Sequence, residues 1–399
     1  VLQRKRYIER VRPLYDNDSV KLITGIRQTG KSVLMRQIRD ELEAQGKKTM
    51  YIDFADPAIA EECRDVKSIS SYIAVHWRRR KARQTCYVFF DDVQKLANWS
   101  VVCRALTLSR VSLFVAGSGA PLLTPETTRN LAGNCAALRV RPFVYKELRD
   151  YAAELGREAP VEDYVQYGGF PKRLECADKA EMLRYLSNLD AEAFRDAIVG
   201  CKIRRDTVFR RAADFVLTAN GQPLSANAVH SRLKKMGVSC SINTVMNYLD
   251  NLEAACLVRR LPTYSALAHR NLNTYAKFYD EDVAFHMLRK PKGSADFAAN
   301  LENIVYNELI YMGYTLSAYA HRGGESIDFL AEKDGREYLV QAAESIAEKG
   351  EREKKLRLLN KLDNSRKKLI ITNDEEDYST SVVEHIRLKD FLTMEDLRG

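Results

Sequence analysis

The chain lacks every pattern by which cysteine or histidine announces a metal or redox centre. Its eight cysteines, at 63, 86, 103, 135, 176, 201, 240 and 256, are scattered, with no C-x-x-C pair and no Cys/His spacing that gathers four zinc ligands. They read as reduced, mostly buried thiols. The six histidines are as dispersed and form no H-E-x-x-H array, so metal held by protein side chains alone is not indicated. No apolar run approaches the roughly 18 to 20 residues that cross a bilayer. The opening residues Val1-Leu2-Gln3-Arg4-Lys5-Arg6 lack the apolar core of a secretion signal, which points to a cytoplasmic protein with no membrane partner. Internal repeats and low-complexity tracts are missing too.

What is there is an ordinary globular composition, 45% hydrophobic and 29% charged over 399 residues. That length exceeds one core of roughly 100 to 200 residues, so two or three domains are expected. The net charge of +9 favours phosphate-rich partners, because Lys and Arg release counterions condensed on nucleic acid. Runs such as Arg78-Arg79-Arg80-Lys81 and Arg204-Arg205 read by default as solvated helix faces, so charge by itself assigns no surface.

The chemistry begins at Val20-Lys21-Leu22-Ile23-Thr24, a β-branched run that predicts a strand. It leads into Gly25-Ile26-Arg27-Gln28-Thr29-Gly30-Lys31-Ser32 and then Val33-Leu34-Met35-Arg36-Gln37-Ile38, which predicts a helix. The spacing is G-x-x-x-x-G-K-[ST], in which glycines let successive backbone N–H groups turn onto phosphate oxygens at a helix N-terminus. Residues Gly25 to Val33 are therefore the candidate nucleotide-binding set, with ATP as ligand. Lys31 is expected to neutralise the β- and γ-phosphates and Ser32 to hold Mg²⁺.

A second strand must bring an acid to the metal, and Cys86-Tyr87-Val88-Phe89-Phe90-Asp91-Asp92 fits that need. A near-continuous apolar run suits a parallel strand buried on both faces, with ligands gathering at its C-terminal end. Asp91 is the Mg²⁺ candidate, and Asp92 the candidate base or water-orienting group. Further strands are predicted at Thr49 to Phe54 and Ser112 to Ser118, alternating with helical stretches at Gln37 to Gln45 and Ile69 to Lys81. Such alternation predicts a parallel sheet with helices on both faces. Ser118, ending its strand, is a candidate sensor of the γ-phosphate or positioner of the attacking water.

These residues resemble prokaryotic AAA-type ATPases of the archaeal-ATPase-like kind, fused to a C-terminal domain of uncharacterised role. The resemblance rests on the phosphate loop, Tyr87 to Gln94 with Trp99, Gly117-Ser118, Pro142-Phe143 and Lys146-Glu147-Leu148. It continues through Tyr167-Gly168-Gly169-Phe170-Pro171, Leu301-Glu302-Asn303 and Ile327-Asp328-Phe329. Two positions depart from the group. Its members carry Asp-Glu where Asp91-Asp92 stands, so the shorter Asp92 holds a water about one methylene farther away. They carry Gly-Arg where Gly133-Asn134 stands, which removes a cationic group of arginine-finger type. Binding with slow hydrolysis is the expectation.

From 204 to 265 the pattern changes to three helices and a strand. Phe209 to Asn220 is the first predicted helix; Ser225 is the expected N-cap and Gly237 the expected stop of the second; Ser241 to Ala255 is the third, followed by a strand-like run at Cys256 to Leu261. This is the winged-helix plan, and the family resemblance supports it. It would offer Ser241, Asn243, Thr244, Asn247 and Tyr248 to a major groove of double-stranded DNA. Arg259 and Arg260, with Lys234 and Lys235 beside them, would meet phosphates. The alternative is contact with a protein partner or self-association.

Beyond Phe297 a helix precedes strand-like runs at Thr315 to Tyr319, Ile327 to Leu330 and Tyr338 to Gln341, which resembles the core of restriction-endonuclease-like folds. In active members Glu302, Asp328 and Gln341 would gather Mg²⁺, with a lysine two residues later. Here that position is Ala343, so nuclease activity is not expected, and Glu302 and Asp328 are left to cap helices, pair with Arg322 or touch nucleic acid passively. The expected architecture is an α/β protein: a P-loop ATPase core at 1–150, a helical connector or lid at 151–203, a winged helix at 204–265 and a restriction-endonuclease-like domain at 266–399.

Overall fold

The computed structural model describes residues 2–76, 85–108, 111–117, 122, 124–265, 270–290, 296–321, 325–362 and 365–397. Ser118, Arg322 and the basic run 78–81 lie outside them. By compactness the chain divides into two units, one of 1–141, 188–204 and 254–256, the other of 142–187, 205–253 and 257–399.

The first unit is built on five strands, β1 Val20–Thr24, β2 Thr49–Asp53, β3 Cys86–Asp91, β4 Val111–Ala116 and β5 Cys135–Arg139. They pair in parallel in the order β2-β3-β4-β1-β5. Parallel pairing needs crossovers that cover the faces, which is why β1, β3 and β4 are buried along their whole length. Val88, Phe90, Leu113 and Val115 pack on Trp99, Cys103 and Leu106 of the helix Trp99–Thr107, while Phe89 stacks on Phe114 with ring centroids 4.6 Å apart. Because β4 lies between β1 and β3, the ends of all three open side by side where Thr24, Ala116 and Asp91 give way to loops.

The second unit holds an eight-stranded mixed sheet in the order β13-β12-β11-β10-β9-β7-β8-β6. Its strands are β6 Pro223–Leu224, β7 Val258–Ser265, β8 Arg270–Asp280, β9 Thr315–Ala320, β10 Ser326–Lys333, β11 Arg336–Ala342, β12 Lys367–Thr372 and β13 Glu384–Arg387. The helices Asp206–Thr218, Ala226–Lys235 and Ile242–Ala254 precede the β7–β8 hairpin. The Ser225 hydroxyl accepts from the Ala228 N–H at 3.2 Å and caps the second of them. Hairpin and meander share one sheet, since β7 also pairs in parallel with β9. The boundary expected at 265/266 therefore lies between two paired strands of one sheet. Among the described residues no helix is long and apolar enough to cross a membrane.

Candidate functional site

At the end of β1 the chain turns through Gly25 at φ +142°, a backbone conformation that side chains rarely adopt, and a Cβ there would stand 2.2 Å from the Val140 carbonyl oxygen. The loop then runs through Gln28 at φ 61° to Gly30, which opens the helix Lys31–Ala44. The first N–H groups of that helix have no intrahelical acceptor, which is what an anion cradle requires. Lys31 is buried, and its Nζ donates to the carbonyl oxygens of Gly25 at 3.0 Å and Ile26 at 2.7 Å. The ammonium is thus held over the cradle by the loop itself. Thr29 Oγ1 donates to the Ile26 carbonyl at 3.1 Å and stiffens the same turn. Ser32 and Val33 are half-buried in the first turn, with Ser32 next to the ammonium in sequence. Arg27 makes a two-pronged pair with Asp196, Nε to Oδ2 at 2.6 Å and Nη2 to Oδ1 at 3.0 Å.

The end of β3 supplies the carboxylates. Asp91 is buried, its Oδ1 accepting from the Asp92 N–H at 3.0 Å and its Oδ2 from the Tyr51 hydroxyl at 2.5 Å. Tyr51 reaches it because β2 pairs with β3 in a register that sets Asp53 opposite Asp91. Asp92 is left-handed at φ 49°, and its Oδ1 accepts from Gln94 Nε2 at 3.1 Å. A carboxylate only accepts, so this bond fixes the amide with Oε1 on the far side. That oxygen is buried without a hydrogen-bond partner among the described residues, and it would stand 2.5 Å from a Cβ on residue 117. Gly117 at the end of β4 is what leaves room for it.

Arg4 was not singled out by the sequence, yet its side chain is only 1% exposed. Nη1 donates to the Thr29 carbonyl at 2.9 Å and Nη2 to the Arg141 carbonyl at 3.1 Å, so it braces the phosphate loop from behind. Arg4→Ala is expected to weaken ATP binding roughly tenfold, about 1.4 kcal/mol, because a charged donor to the loop is lost. Equal calorimetric affinities for a folded Arg4→Ala and the wild type would show the brace to be dispensable.

Asn134 occupies a place remote from this chemistry. It precedes β5, where Val20 and Cys135 are register partners and the Val20 N–H donates to the Asn134 carbonyl at 3.1 Å. That is the opposite end of β1 from the phosphate loop, about 16 Å away over five strand residues. The side chain at 134 therefore has no bearing on a γ-phosphate held in its own subunit.

Burial pushes the Lys31 ammonium down to about 8, with Cys256, Asp91 and Asp92 pulling it the other way. Phosphate oxygens would favour the charged form and raise it again, so binding takes up a proton wherever free Lys31 has begun to lose its own. Nucleotide affinity should fall as pH rises above about 8. Calorimetry in buffers of different ionisation enthalpy should find clearly more proton uptake at pH 8.5 than at pH 7. Equal uptake at both would exclude Lys31 as the titrating group.

The other sequence candidates fall in the second unit. Asn243 and Asn247 are exposed on the helix Ile242–Ala254, and Thr244 is half-buried, its Oγ1 2.9 Å from Ser241 Oγ. Arg259 is half-buried, whereas Arg260 is engaged, with Nη2 on Asp250 Oδ1 at 2.7 Å. Glu302, Asp328 and Gln341 come together, with Gln341 Nε2 donating to Asp328 Oδ2 at 2.5 Å. Arg4 and Tyr51 carried no local signal, whereas Gln94 stood at the end of the segment Tyr87 to Gln94.

Residues 17–149 match the AAA domain family, and residues 158–289 match a domain of unknown function, DUF8612. An uncharacterized protein of Haemophilus influenzae is 27% identical over 404 residues, covering 98% of each chain. Another, from Methanocaldococcus jannaschii, is 26% identical over 392 residues, covering 90% of this chain and 83% of that one. Among solved structures, a Walker-type ATPase of Pyrococcus abyssi aligns at a TM-score of 0.49 and 17% identity, covering 73% of this chain and 96% of the other. With the loop, the strand end and the match over 17–149 taken together, the chain carries an AAA-type P-loop ATPase domain, followed by a region whose matched family has no assigned role.

Proposed function

We propose that this protein binds MgATP, hydrolyses it slowly, and acts as a nucleotide-dependent switch on double-stranded DNA. The observation that carries the first part is the Lys31 ammonium held on the Gly25 and Ile26 carbonyls at the mouth of a free helix N-terminus. Lys31 trades those carbonyls for phosphate oxygens, and the loop's N–H groups share the remaining charge. Ser32 and Asp91 are the residues that would hold Mg²⁺, a role suited to a hydroxyl in the first turn and to a buried carboxylate oriented by Tyr51. The metal bound with nucleotide would screen the charge that builds on the phosphates. Asp92 orients the attacking water and accepts its proton, and Gln94 holds the Asp92 carboxylate in place through its amide nitrogen. Asp92 being one methylene short of glutamate is the reason for slow turnover.

Support for a DNA output comes from the exposed Asn243 and Asn247 and from the basic end of the preceding helix, at Arg232, Lys234 and Lys235. A second reading, a protein partner, is favoured by Ile242 and Met246, which are 42% and 50% exposed on the same helix, and by the capture of Arg260 by Asp250. Gel shifts on duplex DNA with and without ATP at two salt concentrations separate them. Salt-sensitive, nucleotide-dependent binding supports the DNA output; absent or salt-insensitive binding transfers it to a protein.

A further inference from the structure

The meander of the second unit gathers the two acids and the glutamine that a nuclease-like site would offer a metal, and it also gathers something a metal site would not. Lys277 of β8 sits between them, its Nζ donating to Glu302 Oε1 at 2.8 Å and to Asp328 Oδ1 at 3.1 Å. The side chains of Lys277, Glu302 and Asp328 are 10%, 17% and 11% exposed, so this is a nearly dry cluster. Both carboxylates accept further hydrogen bonds. Tyr279 donates its hydroxyl to Glu302 Oε1 at 2.7 Å, and Asp328 Oδ2 receives both Gln341 Nε2 and the Ala342 N–H at 3.0 Å.

We propose that the Lys277 ammonium is the resident cation of this cluster, standing where a divalent metal would otherwise sit, and that removing it opens a divalent-cation site. Three features support this. A glutamine serves a hard cation through its oxygen, yet Gln341 turns its nitrogen to Asp328, and that orientation is fixed because the carboxylate can only accept. Two carboxylates and one ammonium leave a net charge of −1, whereas a dication added beside Lys277 would crowd three positive charges around two negative ones in a site with little water. No three acid, histidine or cysteine side chains are gathered for a metal anywhere among the described residues. Burial alone would push Lys277 down, but Asp328 and Glu302 outweigh it and hold the ammonium above its ordinary range, so it stays charged at neutral pH. The lysine missing at 343 is thus not an empty place in the cluster's chemistry. A cation arrives from another strand, and it ties β8, the helix Phe297–Met312 and β10 together instead of serving catalysis.

The test uses the full-length protein without nucleotide, titrated with Mn²⁺ and read by the paramagnetic resonance of free Mn²⁺ and by thermal unfolding. Wild type and Asp328→Asn should bind the same number of Mn²⁺ ions. Lys277→Met, which keeps most of the packing of the lysine stem, should gain one ion that Lys277→Met/Asp328→Asn lacks, and its midpoint should rise by several degrees in millimolar Mn²⁺. A Lys277→Met chain that folds only with Mn²⁺ supports the proposal equally. It is overturned if wild type binds an ion that Asp328→Asn loses, or if Mn²⁺ neither binds nor rescues Lys277→Met. Mn²⁺-dependent DNA cleavage by wild type that Asp328→Asn abolishes overturns it too.

Discussion

Lys31→Ala is expected to yield a folded chain that no longer binds ATP, with an affinity loss of at least roughly a hundredfold. The ammonium is held on the loop's own carbonyls, and alanine leaves the backbone cradle without it. The fold should tolerate the change, because the buried ammonium already sits where burial disfavours its charge. Removing it relieves that penalty while leaving the Gly25 and Ile26 carbonyls short of a donor, and the two effects oppose each other. Calorimetry on the variant, with circular dichroism to show that it is folded, decides the matter. Wild-type affinity in the variant would remove the basis of the proposed function.

Gln94→Ala and Asp92→Asn should each leave ATP affinity within about twofold of wild type and lower kcat roughly a hundredfold. The reason is geometric. Gln94 holds the Asp92 carboxylate through its amide nitrogen, so Gln94→Ala leaves the base without its support and Asp92→Asn removes the base itself. Because the two side chains act as a unit, the double variant should be scarcely slower than either single one. Phosphate release under saturating ATP provides the test. Additive losses would mean separate roles, and an unchanged kcat for Gln94→Ala would show that Asp92 works without that support. Asp92→Glu restores the longer side chain and should hydrolyse faster than wild type if reach limits turnover, provided Gln94 can still pair with it.

The parts of the ATPase site that were legible beforehand lie close together along the chain. Gly25 to Ser32 form a phosphate loop through backbone geometry that their own residue types dictate, and the apolar run before Asp91 marks a buried parallel strand by composition alone. Other parts depend on pairing. Tyr51 and Asp91 are 40 residues apart and meet only because β2 docks on β3 in one register. Asn134 drew attention through its neighbours in sequence, but the parallel pairing of β5 with β1 carries it to the far end of the sheet. Arg4 closes a bond to the Arg141 carbonyl across 137 residues, for which no local pattern exists.

The C-terminal region makes the same division sharper. Spacing along the chain points to position 343, two residues past Gln341, as the place for a lysine. The cation instead stands 51 residues before Asp328, on a strand of the hairpin that follows the three helices. Local sequence by itself determined the phosphate cradle, the strand that ends in Asp91 and the helix capped at Ser225, because propensity, glycine turns and side-chain capping act within a few residues. Tertiary structure alone decided which charges share a buried site, since desolvation makes an unpaired charge costly and strand register chooses its partner.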